Sequence, residues 1–149
     1  MPASSYRLED ILPHRPPMRL IDEVVSFDEA TRELVAASTI RKEWSENWVA
    51  IELMAQAAAA LAGISDRLKG HEGPPRPGFL LGTRRLTFAI PAFEVGKRYL
   101  VTAKNVFGDD EAASFECSVR DGETVVARAT LNAFRPKDVA AFLATQSAV

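Results

Sequence analysis

Val49-Ala-Ile-Glu52-Leu-Met-Ala-Gln56-Ala-Ala-Ala-Ala-Leu61-Ala-Gly63-Ile64 is the stretch that decides the fold of this chain. Glu52 and Gln56 are its only polar side chains, and because they are four residues apart they share one face of a helix. A helix that is apolar all round is buried. A buried carboxylate is costly unless it has partners or a task. The stretch therefore predicts a buried central helix with a candidate site on it.

The helix is predicted to extend beyond this stretch, over about residues 48–69. Ser45 or Asn47 is the expected N-cap, and a basic last turn followed by Gly70 marks the end. The small residues over 57–63 are expected to let the backbone of a sheet approach the helix closely.

The rest of the chain is predicted to form strands. Two apolar segments precede the helix, and after it the pattern changes to a period of two, which is typical of strands. Glycine, proline or aspartate marks the turns between them. The predicted strands are 19–27, 33–40, 79–90, 97–107, 112–120 and 123–135, with short helices at 5–11 and from Lys137 onward.

The order of these elements indicates one architecture. A single helix cannot cover both faces of a flat six-stranded sheet, but a strongly curved sheet wrapped around the helix buries its apolar surface. We therefore expect an α+β hotdog fold, with residues 1–149 as a single domain. Such a sheet has open edges, which favours an edge-to-edge dimer.

The composition narrows the class of protein. With 149 residues, 47% apolar content and a net charge of -2, the chain is expected to be a globular protein that binds neither nucleic acid nor membrane. The single Cys117 fits a reducing compartment, and no signal-peptide pattern is seen at the start, so a cytoplasmic location is expected. Two separated histidines and one cysteine have no metal-ligand spacing, so no metal site is expected.

Several motifs resemble one family. Leu12-Pro-His-Arg-Pro-Pro-Met18, followed by Leu20-Ile-Asp-Glu-Val24, resembles the N-terminal segment of bacterial beta-hydroxyacyl-carrier-protein dehydratases. Ile51-Glu-Leu-Met-Ala-Gln-Ala57 is similar to the start of their central helix, where a Glu or Asp is catalytic. Phe79-Leu-Leu-Gly82 through Arg85-Leu-Thr-Phe88 resembles their third strand.

One region departs from that family. The fatty-acid dehydratases carry a catalytic histidine in a Gly-His-Phe-Pro motif before the central helix, whereas this chain has Ile40-Arg-Lys-Glu-Trp-Ser-Glu-Asn47 and no histidine there. The pattern is more similar to the dehydratase-like hotdog proteins of aryl-polyene and related polyketide-type gene clusters. His14, in the proline-rich segment, is then the remaining candidate for the histidine; His71 lies in a Gly/Pro loop and is expected to be solvated.

The resemblance implies dehydration of a 3-hydroxyacyl thioester to a trans-2-enoyl thioester. That reaction needs a base at C2, an acid for the hydroxyl on C3 and donors for the developing oxyanion on C1. Glu52 is expected to be the acid, because burial favours a protonated carboxyl, and His14 the base. The backbone N–H groups of Trp48 and Val49, at the helix N-terminus, are the expected oxyanion donors. Gln56 is expected to orient Glu52 by a hydrogen bond.

The expected substrate is carried on the 4'-phosphopantetheine of an acyl carrier protein or on coenzyme A, and no other cofactor is expected. Arg15, Arg84 and Arg85 are candidates for contacts with the phosphate or with an acidic carrier helix. Two other functions stay open. The chain is alternatively a hotdog thioesterase, or a non-catalytic subunit of a hotdog heterodimer whose partner supplies the missing histidine; a homodimer is equally compatible with the sequence.

Overall fold

A six-stranded antiparallel sheet curves around one long helix in the computed structural model, which describes residues 6–109, 111–136 and 138–147. The strand order is β1-β2-β4-β5-β6-β3, so β1 and β3 are the two edges. The predicted α+β hotdog fold is confirmed. The elements are α1 (Leu8–Ile11), β1 (Glu23–Asp28), β2 (Glu33–Thr39), a 3₁₀ turn (Lys42–Trp44), α2 (Val49–Leu68), β3 (Phe79–Phe88), β4 (Arg98–Gly108), β5 (Ala112–Asp121), β6 (Thr124–Phe134) and α3 (Val139–Ser147).

The first strand begins four residues later than predicted. The backbone N–H groups of Leu20 and Ile21 donate to the side-chain oxygen of Gln56, at 2.8 and 3.3 Å, instead of to a neighbouring strand. Because both donors are taken by a side chain, the ladder with β2 is registered only from Glu23 onward. The other predicted strands agree with the structure within two residues at each end.

The start of α2 differs from the prediction. Trp48 occupies the N-cap position and no side chain caps the helix, so the predicted Ser45 or Asn47 cap is wrong. The amide of Asn47 instead donates to the Ile90 carbonyl at 3.3 Å, which ties the helix start to the end of β3. The predicted end is confirmed, because Gly70 follows the helix with φ +92°, a conformation that favours glycine.

Helix α2 is the core helix of the fold. Its 20 residues are long and apolar enough to cross a membrane by length and composition, although the apolar stretch seen in the sequence is shorter. However, 67% of its most apolar window is buried inside the fold, where it packs against β2, β4 and β5. The expected buried central helix is therefore present.

The small residues of α2 do not all pack against the sheet as predicted. A Cβ atom added at Gly63 would lie 2.0 Å from the carbonyl oxygen of Ile11, so the close approach there is to α1. The alanines next to it on the helix surface, Ala55, Ala59 and Ala62 among them, line an open cavity. The prediction of a close approach is thus correct at Gly63, but the element that approaches is α1 and not the sheet.

The edge strand β3 is exposed and apolar in part. Leu80, Leu81 and Phe88 are among the exposed large apolar residues of the described chain. The register of β3 against β6 shifts twice, and Arg85 at the second shift has φ +54°. An exposed apolar edge is a place where another strand can pair.

The contact between Gly63 and α1 gives a test of the packing. Gly63→Ala is expected to lower the free energy of unfolding by about 1–3 kcal/mol, because overpacking forces the backbone of α1 away. Gly82→Ala is the matched control, since a Cβ atom there meets nothing within 4 Å, and a change within about 0.5 kcal/mol is expected. Urea unfolding of both variants measures the difference, and equal stabilities would contradict the close contact.

Candidate active site

A cavity of about 280 Å³ lies between α2 and the concave face of the sheet. Its volume is close to the lower limit of small-molecule sites, which start at about 300 Å³. Small side chains of α2 form one wall and apolar side chains of β3, β5 and β6 form the other. The first set is Ala55, Ala58, Ala59 and Ala62, and the second is Phe79, Phe115, Leu131 and Phe134.

His14 and Glu52 meet at one end of this cavity and both line it. The Nε2 atom of His14 lies 3.8 Å from Oε1 of Glu52. This distance is longer than a hydrogen bond, so the two atoms are not hydrogen-bonded to each other. The structure therefore brings together, within one chain, the two residues that the sequence proposed as base and acid.

The surroundings of His14 favour its neutral form. Burial lowers the pKa of the imidazole below its usual value of 6.5, and the nearby Glu52 carboxylate opposes this shift only in part. A neutral ring near pH 7 can accept a proton, which a general base requires. Its Nδ1 atom is buried and has no hydrogen-bond partner in the part of the chain that the structure describes.

Glu52 is more open than the sequence predicted. Its side chain is 42% exposed in the single chain, because it points into the cavity instead of into the packed core. The burial expected to keep its carboxyl protonated is therefore not provided by this chain alone. The expectation was wrong because a helix with many alanines leaves open space beside its polar face.

Gln56 is fully buried and makes four hydrogen bonds. Its side-chain Nε2 donates to Oε1 of Glu52 at 2.8 Å and to the carbonyl of Met18 at 2.9 Å. Its oxygen accepts the N–H groups of Leu20 and Ile21. The predicted hydrogen bond to Glu52 is present, and the same amide also holds the segment that follows the proline-rich motif against the helix.

Arg15 holds the proline-rich segment from within. Its guanidinium donates to the carbonyls of Leu12, His14 and Glu9 at 2.6, 3.0 and 3.2 Å. These bonds fix the backbone that carries the His14 ring. Arg15 does not line the cavity, and the sequence did not predict this local role. Its predicted contact with a carrier stays a prediction.

Trp48 and Val49 lie outside the cavity lining. The N–H of Val49 already donates to the carbonyl of Glu46 at 3.1 Å, and Val49 is buried. The indole N–H of the half-exposed Trp48 donates to the carboxylate of Glu46. The prediction of oxyanion donors at the helix start is corrected for Val49, because the first turn uses that group internally.

Arg84 and Arg85 are exposed on the edge strand β3 and do not line the cavity. Arg84 lies opposite Thr130 of β6. Their predicted contact with a carrier stays a prediction. Within the described ranges no group of three or more potential metal ligands is found.

An ion cluster that the sequence did not predict lies at the other end of the cavity. Asp66 is buried and binds Arg135 through two contacts of 2.7 and 3.0 Å, and Arg76 at 2.8 Å. Both arginines line the cavity. The sequence contains a signal for a polar group at this position. Asp66 lies fourteen residues after Glu52 and so returns to nearly the same helix face after about four turns.

The surroundings of His14 predict its titration. The proton NMR signal of the ring, assigned with His71→Asn, is expected to titrate below pH 6.5. Because the unfolded ring binds the proton more tightly, this group's contribution to stability is lost as the pH falls below 6.5 through the folded pKa. Glu52→Gln is expected to lower the midpoint further, since it removes the favourable charge. An upward movement in that variant would contradict the arrangement.

The role of Gln56 predicts a difference in stability between two variants. Gln56→Met leaves two buried N–H groups and a carbonyl without their partner, and about 3 kcal/mol of unfolding free energy is expected to be lost. Ser38→Ala is the control: it removes one buried bond to the same segment, to the Leu20 carbonyl, at a cost of about 1 kcal/mol. Denaturant unfolding compares the two, and equal losses would argue against Gln56 as the main connection.

Comparisons with known structures agree with the fold. The fold matches the dehydratase heterocomplex ApeI:P from Xenorhabdus doucetiae with a TM-score of 0.80 and 24% identity, over 89% of this chain and 93% of that one. It matches a hypothetical thioesterase with coenzyme A from Streptococcus pneumoniae TIGR4 with a TM-score of 0.58 and 12% identity, over 76% and 84% of the two chains. At these identities both likenesses show the fold alone.

Sequence comparison is more specific. The chain is 35% identical over 96 residues to the 3-hydroxyacyl-[acyl-carrier-protein] dehydratase FabZ of Anaeromyxobacter dehalogenans (strain 2CP-C), a match over 56% of this chain and 60% of that relative. The chain thus spans less than two thirds of the curated relative it matches. The family model for ApeP-like proteins, described as ApeP dehydratase, matches residues 6–144. Since this match extends over nearly the whole sequence, the chain belongs to the ApeP-like dehydratase family.

Proposed function

We propose that this protein is a hydro-lyase that removes water from a 3-hydroxyacyl thioester to give a trans-2-enoyl thioester. The observation that carries the proposal is the pair formed by His14 Nε2 and Glu52 Oε1, 3.8 Å apart at one end of a largely apolar cavity. Membership of a dehydratase family and the partial match to FabZ support the same reaction.

The pair fits the geometry of the reaction. The proton on C2 and the hydroxyl on C3 belong to neighbouring carbons, so a base and an acid that lie side by side can reach both. His14 takes the proton from C2, the C2–C3 double bond forms, and the hydroxyl leaves as water with a proton from Glu52. The resulting imidazolium and carboxylate face each other across 3.8 Å, and proton return from His14 to Glu52 restores the starting state.

The proposed substrate is bound through 4'-phosphopantetheine, either on an acyl carrier protein or on coenzyme A. The FabZ relative is named for a carrier-protein substrate, which favours the first of these carriers. Arg84 and Arg85 are exposed on β3 and can meet an anionic partner. Such a substrate fits a cytoplasmic location, which we propose for this protein.

We further propose that the protein works as an edge-to-edge dimer of hotdog chains. The unpaired edge of β3 exposes Leu80 and Leu81, which a second sheet would cover. A partner on this side would also reduce the exposure of Glu52, whose side chain is 42% exposed in the single chain. The structural match to one chain of a heterocomplex makes a second, different hotdog chain a reasonable partner, alongside a homodimer.

The dehydration is tested by mass spectrometry with a 3-hydroxyacyl carrier-protein thioester. Loss of water is expected from the wild type, and Glu52→Gln or His14→Asn is expected to lower kcat/KM at least about 100-fold, as removal of a general acid or base does. His71→Asn is the matched control, because that ring contacts the Pro74 carbonyl and does not line the cavity. Full activity in Glu52→Gln would refute the proposal.

The same assay separates the other functions. Release of a free thiol without an alkene would identify a thioesterase. A chain that is inert alone and gains activity only when mixed with a second hotdog protein would identify a partner subunit. In that case Glu52→Gln and His14→Asn are each assayed in the mixture. Unchanged activity of both variants there would assign the catalytic residues to the other chain.

A further inference from the structure

The far end of the cavity is built from parts of the chain that the proposed reaction does not use. The alanine wall of α2 continues from Ala55, near Glu52, to Ala62, about 15 Å beyond Glu52 at the rise of a helix. Beyond Ala62 the lining becomes charged, with Arg76 and Arg135 bound to Asp66. Arg32, before β2, and Asp109 and Glu111, between β4 and β5, also line the cavity at this end of the sheet. An alkyl chain that starts at the reacting pair therefore has apolar surroundings over a limited length.

Helix α3 supports this end from outside. Phe79 of β3 and Phe134 of β6 lie opposite each other in the ladder, and both line the cavity. Phe142 of α3 packs on them with ring centroids 5.1 and 5.4 Å away. Among the side chains of α3 that the structure describes, Phe142 is the one that is not exposed. The main described contact of α3 is thus with the cavity wall.

From this arrangement we infer that Ala62 and Phe142 set the maximum length of the acyl chain. The inference rests on the proposed function for the identity of the ligand, and it adds the direction in which the ligand lies. The thioester is at Glu52, and the acyl chain follows α2 toward Ala62. The acyl chain would occupy a channel, which is the part of the cavity from Glu52 to Ala62. The small side chain of Ala62 leaves room at the far end of this channel, and Phe142 holds in place the two phenylalanine rings that form its end wall.

The charges at the two ends of the cavity disfavour binding of the acyl chain in the opposite direction. If the chain end lay near Glu52 and the thioester near Arg76, the apolar end would contact the half-exposed carboxylate and the imidazole. In the inferred direction, the first carbons after the thioester lie beside Ala55 and Ala59, and the charged cluster is reached only by chains that exceed the apolar length. Methylene groups beyond the apolar length then gain no further affinity, because the ions of that cluster cannot be solvated by them.

The inference is tested by binding, independently of turnover. The probes are S-alkyl-pantetheine thioethers with 4 to about 14 alkyl carbons, which can be neither dehydrated nor hydrolysed. Each methylene that enters apolar surroundings is expected to strengthen binding about fourfold, until the channel is full and the affinity reaches a plateau. The length at the plateau, measured by calorimetry on the full chain or its complex, reports the length of the channel.

Three variants are expected to change the dependence of affinity on alkyl-chain length in different ways. Ala62→Leu is expected to move the plateau to shorter chains by about three methylenes, since leucine adds three carbon atoms. Phe142→Ala is expected to move it to longer chains, because the two wall rings lose their support. Ala55→Leu is expected to weaken every probe, including the shortest, because it obstructs the channel beside the reacting pair.

Ala140→Leu is the matched control, because the same change is made on an exposed position of α3 and the curve is expected to stay unchanged. Thermal unfolding of each variant checks that the fold is intact. Equal weakening of all probes by Ala62→Leu would overturn the inferred direction, and an unchanged plateau in Phe142→Ala would overturn the role of α3. A wild type that shows the plateau but does not dehydrate its substrate would refute the proposed reaction and leave the channel intact.

Discussion

The buried amide of Gln56 is the interaction on which the candidate site depends. It lies one helical turn beyond Glu52 and holds that carboxylate, while its remaining bonds take up backbone groups of Met18, Leu20 and Ile21. A buried amide with all of these bonds made is favourable, and one that loses its partners is costly. The segment that carries His14 is therefore held against the same helix that carries Glu52.

The small residues of α2 explain how a core helix can also border a cavity. At Gly63 the absence of a side chain lets α1 contact the helix backbone. Beside it on the helix surface, alanines stand where larger residues would fill the space between helix and sheet, and the cavity follows these alanines. Close packing at Gly63 and open space beside the alanines thus lie next to each other on one helix.

Much of the fold could be predicted because its causes are local. The alternation of β4 to β6, the apolar helix and the glycine after it are periodic or single-residue signals. The predictions of element boundaries were wrong where a residue distant in sequence forms the hydrogen bond that was expected from a local partner. The strand expected from residue 19 begins at Glu23 because Gln56 takes the N–H groups of Leu20 and Ile21, and Asn47 does not cap the helix because it bonds the Ile90 carbonyl.

The sequence by itself determined the architecture and the candidates: a helix apolar enough to be buried, a period-two sheet to enclose it, and Glu52, Gln56 and His14 as the polar groups with a possible task. Only the tertiary structure decided that His14 reaches Glu52, that Val49 has no free N–H, and that the cavity extends toward Asp66. The physical reason is that periodicity acts within a few residues, whereas the distance between side chains 38 positions apart depends on how the whole chain packs.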